Sequence, residues 1–243
     1  MNGGPFKQSA VAFLDVLGFK NLINDAEASP DGLSRLIGLK AVLDAHVRWD
    51  NDRLAPSVPE AVKPKYLFIS DSIILSAPLQ EGDFDGLSVV IAKTIEIALK
   101  LLEMGYLLRG GIAVGKVWAE ERNIFGSGYI EAYSQETTAN HPCVMLTKSA
   151  AMHWAASPMG GSTMVLSANN GQIVDVLNTS YVRGAEHYGR IEDAYAQIKS
   201  HITTELEKHK NYERAHAKWK WMASFFNDAL RRHGVLIEPI SLN

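Results

Sequence analysis

The chain has 243 residues, enough for one large domain or a domain with a helical appendage. Hydrophobic residues make up 47% and charged residues 21%, ordinary values that permit a sizeable core and exclude a disordered chain. A formal net charge of −3 argues against general nucleic-acid binding, and the single cysteine, Cys143, excludes a disulfide framework within one chain.

Ser9 to Leu17 is an apolar run with one acid inside it, bounded by Gly18, and predicts a buried central strand. Leucines and isoleucines at helical spacing predict helices over Phe19–Asp25 and Asp31–Trp49, with Asp31 as the N-cap of the second. Asn51 to Pro64 holds three prolines and several charges and reads as a loop. Lys65–Ile69 and Ile73–Ser76 are strand-like, and Ser70-Asp71-Ser72 between them suits a tight hairpin. Asp85–Met104 predicts a long amphipathic helix stopped by Gly105.

Tyr106–Trp118 predicts the next strand, in which Gly110, Gly111 and Gly115 signal a bulge or a close approach by another group. Asn123–Glu136 begins as a loop and turns helical, Cys143–Leu146 reads as a short strand, and Thr147–Ala156 as a helix. Gln172–Leu177 reads as a further strand and Glu186–Arg232 as strongly helical. The order of elements predicts an α+β fold, an antiparallel or mixed sheet covered by helices. The expected division is a main domain over 1–180 and a C-terminal helical region over 181–243, packed on that domain or at a dimer interface.

Asp15 is the first candidate. A carboxylate inside an apolar strand is costly unless charged partners or a metal satisfy it. Gly18-Phe19-Lys20 follows, where strand meets helix and free backbone amides favour phosphate oxygens. Two readings stand open: a nucleotide–metal site, or a buried Asp capping its helix locally. Asp71 is the second candidate. Hairpin tips use Asp for turn geometry as a matter of routine. If the Asp15 strand pairs beside the hairpin, the two carboxylates converge and could hold two hard cations about 3.5–4 Å apart across a phosphoryl displacement.

Phe13-Leu14-Asp15-Val16-Leu17-Gly18-Phe19 resembles the metal-binding first strand of class III adenylate and guanylate cyclases. Phe68-Ile69-Ser70-Asp71 resembles their second metal-binding hairpin, and Leu108-Arg109-Gly110-Gly111-Ile112-Ala113-Val114-Gly115 their following strand. Asn123-Ile124-Phe125-Gly126 falls where those enzymes carry a base-reading residue before an aromatic–glycine pair. The resemblance covers roughly residues 9–136. It departs from the family at Ile130 and Ser134, which stand where many members have a catalytic Asn and Arg. Leu67 or its neighbours, Tyr66 among them, replace the adenine-reading lysine. Glu131-Ala132-Tyr133-Ser134-Gln135-Glu136 followed by Pro142 is instead similar to the pyrimidine cyclases of bacterial Pycsar antiphage systems.

The resemblance implies a homodimeric nucleotide cyclase using manganese or magnesium, two ions per site. It implies conversion of UTP, or alternatively CTP, to the cyclic monophosphate, whose product acts on a separate effector. The rival reading is an inactive cyclase-like domain that only binds a nucleotide. The site residues carried forward are Asp15 and Asp71 with the Val16 carbonyl for metal and Arg109 beside them. Leu17, Gly18, Phe19, Tyr66 and Asn123 are carried for substrate. Arg109 suits either an ion pair or a phosphate contact. Asn123 could match both polar groups of the uracil edge or merely cap the turn before Gly126.

Other motifs fail. Gly126-Ser127-Gly128 starts like a dinucleotide fingerprint, but position 131 is Glu. No Walker A loop occurs, Leu17 stands where a haloacid-dehalogenase-type phosphatase needs a second Asp, and the eight histidines lack HExxH spacing. His209 and His216 read as solvated. Cys143, in an apolar run, reads as a buried thiol. The aromatic stripe Trp219, Trp221, Phe225 and Phe226 reads as packing or dimer contact. Met1-Asn2-Gly3-Gly4-Pro5 is not a basic segment before an apolar run, and no stretch reaches bilayer length, so the expected location is the cytoplasm.

Overall fold

A computed structural model describes residues 5–47, 63, 65–81, 84–120, 123–184 and 190–242. The expected loop Asn51–Pro64 therefore lies outside the described residues except for Lys63, as do Met1–Gly4, Trp49 and the segment 185–189.

In chain order the elements are β1 (Lys7–Leu17), α1 (Phe19–Ala28), α2 (Pro30–Val47), β2 (Lys65–Ile69), β3 (Ser72–Pro78), β4 (Gln80–Glu81), β5 (Phe84–Asp85) and α3 (Gly86–Glu103). There follow β6 (Leu107–Glu120), β7 (Asn123–Phe125), α4 (Ser127–Thr138), β8 (Val144–Leu146), α5 (Lys148–Ala156), β9 (Val165–Ala168), β10 (Gly171–Val174), α6 (Thr179–Gly184), α7 (Ile191–Lys208) and α8 (Glu213–His233). The main sheet runs β2-β3-β1-β6-β8-β10-β9, with β7 added on β6. Every pairing is antiparallel except β6 with β8, which makes the sheet mixed. The fold is α+β, as the sequence predicts.

β1 is central, between β3 and β6, and its alternation divides the molecule. Ala10, Ala12, Leu14 and Val16 point into the main core with α3 residues such as Leu87, Ile91 and Ile95. Burying each large aliphatic side chain there contributes about 1.5–3 kcal/mol. Val11 and Phe13 face the other way, onto a smaller cluster with Ile74, Ala113, Val117 and Ala132 of α4. Asp15 continues this second row.

The glycines of β6 admit α4. A Cβ on Gly111 would lie 2.3 Å from the Ala132 carbonyl oxygen, and one on Gly115 2.8 Å from the Gly128 Cα. Close approach by a helix, one of the two expected reasons, is the one realised.

Several boundaries differ from expectation. Ser29, not Asp31, caps α2: its hydroxyl accepts from the Gly32 amide at 3.0 Å, while Asp31 lies in the first turn. Asp85 caps α3, accepting from the Leu87 and Ser88 amides at 3.2 Å each. Asn123–Phe125 forms a strand rather than a loop. The strand expected over Gln172–Leu177 ends at Val174, where the chain turns: the Val176 amide donates to the Val174 carbonyl and the Asn178 amide to the Asp175 carbonyl, each at 3.1 Å. The single C-terminal helix is two, broken at His209–Tyr212, and the two pack on each other. Tyr195, Ile198, Trp219, Phe225 and Phe226 from this region join the main core. No helix among the described residues is long and apolar enough to cross a membrane.

Candidate active site

The site lies where β1 ends. Asp15 pairs in register with Ser72 of β3 on one side and with Arg109 of β6 on the other. Asp71 immediately precedes Ser72 in the two-residue turn after β2 and is partly buried. Its carbonyl accepts from the Val16 amide at 2.9 Å, which ties the turn to the end of β1. Ser70, beside it, sits at φ 60°, a left-handed conformation uncommon for a residue with a side chain. The hairpin thus holds Asp71 against Asp15 by register and by a backbone bond.

Arg109 and Asp15 share a register position on adjacent strands, so their side chains meet on one face. The Arg109 guanidinium donates to the Asp15 carboxylate at 3.1 Å and to the Ala139 carbonyl at 3.4 Å, and pairs with Glu136 of α4 at 2.5 Å. Glu136 is 5% exposed. It sits four residues after Ala132 and eight after Gly128, on the face of α4 that touches the sheet. Arg109 Nε is buried and makes no hydrogen bond.

The carboxylates dominate the local charge. Burial raises the Asp15 pKa above its ordinary 3.8, and Glu136 and Asp71 raise it further. The charge and hydrogen bond of Arg109 act the other way without cancelling them. A cation with oxygen-seeking chemistry would relieve this repulsion. Lys218 of α8 lies within electrostatic reach of Asp15 and Arg109. Burial lowers its pKa first, and the charges of Arg109 and Arg214 second, against the pull of Asp15. Burial also pushes the Cys143 thiol up to about 11, so this cysteine is inert rather than nucleophilic.

Behind Asp15, Gly18 opens α1 at φ 90°, a conformation that favours glycine. No side chain caps this end and no acid occupies its first turn, so the amides of Phe19 and Lys20 are left for an anion. The Phe19 side chain itself turns into the main core, and Leu17 is half-buried. What Leu17 to Phe19 offer at this corner is therefore backbone, not side chain.

The remaining candidates lie elsewhere. Tyr66 is paired with Leu75, which pairs with Ala12, so it projects from the face opposite Asp15. Leu67, by contrast, packs with Phe13 and Ile74 on the Asp15 face. Asn123 is exposed and pairs with Glu120 at the far end of β6. Eleven β6 positions separate Glu120 from Arg109, roughly 36 Å of strand. On α4, Ile130 and Ser134 are exposed, and the Ser134 hydroxyl donates to the Ile130 carbonyl at 2.8 Å.

Two residues that the fold brings to this corner, Glu136 and Lys218, are not among the candidates read from the sequence. Glu136 carried a usable signal, a glutamate in the row Gly128, Ala132, Glu136 of an apolar helix face. Lys218 carried none, because only the fold brings α8 to β1.

No sequence-family model matches the chain, and no curated protein matches it in sequence. Solved structures do resemble it in fold. One is the catalytic core of a rhodopsin–guanylyl cyclase with converted specificity in complex with ATPalphaS: 13% identity, 69% of this chain, 93% of that one, TM-score 0.41. Another is the guanylyl cyclase Cya2: 15% identity, 71% of this chain, 91% of that one, TM-score 0.43.

Proposed function

We propose that this chain is a divalent-cation-dependent nucleotide cyclase that converts a pyrimidine nucleoside triphosphate, UTP before CTP, to its 3′,5′-cyclic monophosphate and pyrophosphate. The observation that carries this reading is the convergence of Asp15 and Asp71 on one corner of the sheet, beside the uncapped start of α1. An acidic pair for cations next to amides for phosphates is the arrangement a nucleotide–metal site requires.

The residues fit the metal. The Asp15 carboxyl is crowded by Glu136 and Asp71, and carboxylates and carbonyls are the donors that manganese and magnesium prefer. Among the described residues no three His, Cys, Asp or Glu side chains form a self-sufficient cation site, so the Val16 carbonyl and substrate oxygens complete the donor set. Two such ions supply neutralisation of the triphosphate and a lowered pKa for the attacking hydroxyl.

The chain's own groups do the rest. Asp15 and Asp71 fix the reacting corner. Arg109 orients Asp15 and compensates Glu136. The Phe19 and Lys20 amides receive phosphate oxygens. The 3′-oxygen bonds to the α-phosphorus, the bond to the β-phosphate oxygen breaks, and the hydroxyl proton leaves to solvent.

Base selection by Asn123 requires a second copy of the chain, because Asn123 is remote from Asp15 within one copy. In this reading the chain is a homodimer in which each copy reads the base held by the other. Leu67 in place of a lysine disfavours adenine. The likeness to Pycsar cyclases supports a second messenger that acts on a separate effector in antiphage defence.

One observation favours a second reading, an inactive nucleotide-binding domain. Arg109 already occupies Asp15, and α4 carries Ile130 and Ser134 in place of catalytic groups. Incubation with each of the four ribonucleoside triphosphates and manganese separates the two. A cyclic pyrimidine nucleotide is the expected product; binding without turnover at high protein concentration selects the second reading.

A further inference from the structure

At the Asp15 corner the guanidinium that β6 supplies is already engaged. Arg109 is committed to Asp15, Glu136 and the Ala139 carbonyl, and α4 presents no cation toward the site. A triphosphate arriving there, added to the Asp15, Asp71 and Glu136 carboxylates, brings more negative charge than two divalent metals and one tethered guanidinium can answer.

α8 supplies what is missing. Arg214, Lys218, Trp221 and Phe225 follow one another at four, three and four residues, so they form one stripe along the helix. Trp221 stacks on His141 with ring centroids 5.6 Å apart and planes 11° apart. It also stacks on Phe225 at 5.3 Å. His141 lies two residues beyond Ala139, whose carbonyl holds Arg109. The stack therefore pins α8 to the loop that touches Arg109, and Lys218 stands one turn earlier on the same stripe. Among the described residues Lys218 has no hydrogen-bond or salt-bridge partner, although it is half-buried. A half-buried ammonium with no partner of its own beside this corner is placed to receive a phosphate.

We propose that Lys218 is a substrate-binding residue of this site, its ammonium holding the terminal phosphates of the triphosphate that Asp15 and Asp71 position. The inference rests on the nucleotide reading above and assigns α8 a part in the site rather than packing alone.

The test measures binding of inorganic tripolyphosphate with manganese to the full chain by calorimetry, alongside the nucleotide KM. Lys218→Met should weaken tripolyphosphate binding about ten- to hundredfold, and Lys218→Arg should restore most of it. The nucleotide KM should rise with it, while the thermal midpoint holds. Lys220→Met, on an exposed part of α8, is the control and should bind like wild type. Wild-type affinity in Lys218→Met, or equal losses in the Lys218 and Lys220 variants, overturns the assignment. Failure of the wild-type chain to bind tripolyphosphate also overturns it. Cyclic nucleotide formation by the wild-type chain stands or falls separately, so a wrong Lys218 leaves the cyclase reading intact.

Discussion

Asp15 and Arg109 stand directly opposite each other on β1 and β6, and the guanidinium donates to the carboxylate at 3.1 Å. The same guanidinium meets Glu136 of α4. One cation thus serves two carboxylates, one from the sheet and one from the helix that covers it. The pair both builds the site and restrains it, because Asp15 must share its oxygens between Arg109 and any bound metal.

Removing the Asp15 charge should abolish turnover and stabilise the fold. Asp15 titrates above its ordinary 3.8 in the folded chain, chiefly through burial. Above that raised value it is ionised in a place that favours the neutral form, and so it subtracts stability. As pH falls through the raised value the penalty fades, and below 3.8 it is gone. Asp15→Asn should therefore melt higher than wild type near neutral pH, and the two melting curves should converge in acid. A lower melting point for Asp15→Asn at neutral pH would contradict the charge balance described.

Removing Arg109 has the opposite sign. Arg109→Met leaves Asp15 and Glu136 facing each other unpaired and should cost about 3 kcal/mol. In a chain of this size that is a melting-point loss of roughly 6–12 °C. Glu136→Gln in the same chain should recover part of it, and a double-mutant cycle should report the coupling. Additive losses would mean that Arg109 and Glu136 do not act together.

Gly111 sets how closely α4 rides on the sheet. A methyl group there would sit 2.3 Å from the Ala132 carbonyl oxygen and 2.6 Å from the Gln135 Cβ. Gly111→Ala should cost about 1–3 kcal/mol in urea unfolding, as α4 lifts or β6 bends. It should also lower turnover, because the displaced helix carries Glu136. An unchanged unfolding midpoint would show that α4 has room to spare.

The parts legible in the sequence were those with local signals. The apolar run of β1, the hairpin around Asp71, the amphipathic α3 and the glycines of β6 all followed from residue type and period. The parts that were not legible depend on distant partners. β9 is four residues long and owes its form to pairing with β10, a strand whose existence, though not its end, followed from the sequence. The parallel pairing of β8 with β6 has no local mark. The break before α8, His209-Lys210-Asn211-Tyr212, lies between charged stretches of good helix propensity and is marked locally only by weak helix formers. In the site, Asp15 and Asp71 stood out as acids flanked by apolar strands. Tyr66 and Asn123 came from motif position alone, and register places one on the other face and the other at the far end.

The central claim is that Asp15 and Asp71 act together in cyclising a nucleotide. The most direct measurement is cyclic monophosphate formation from UTP and CTP with manganese, by wild type and Asp71→Asn side by side. The account predicts product from wild type and at least about a hundredfold less from Asp71→Asn, with its fold intact by circular dichroism. Near-normal turnover by a folded Asp71→Asn chain, or no cyclic product from wild type at high concentration, would contradict it.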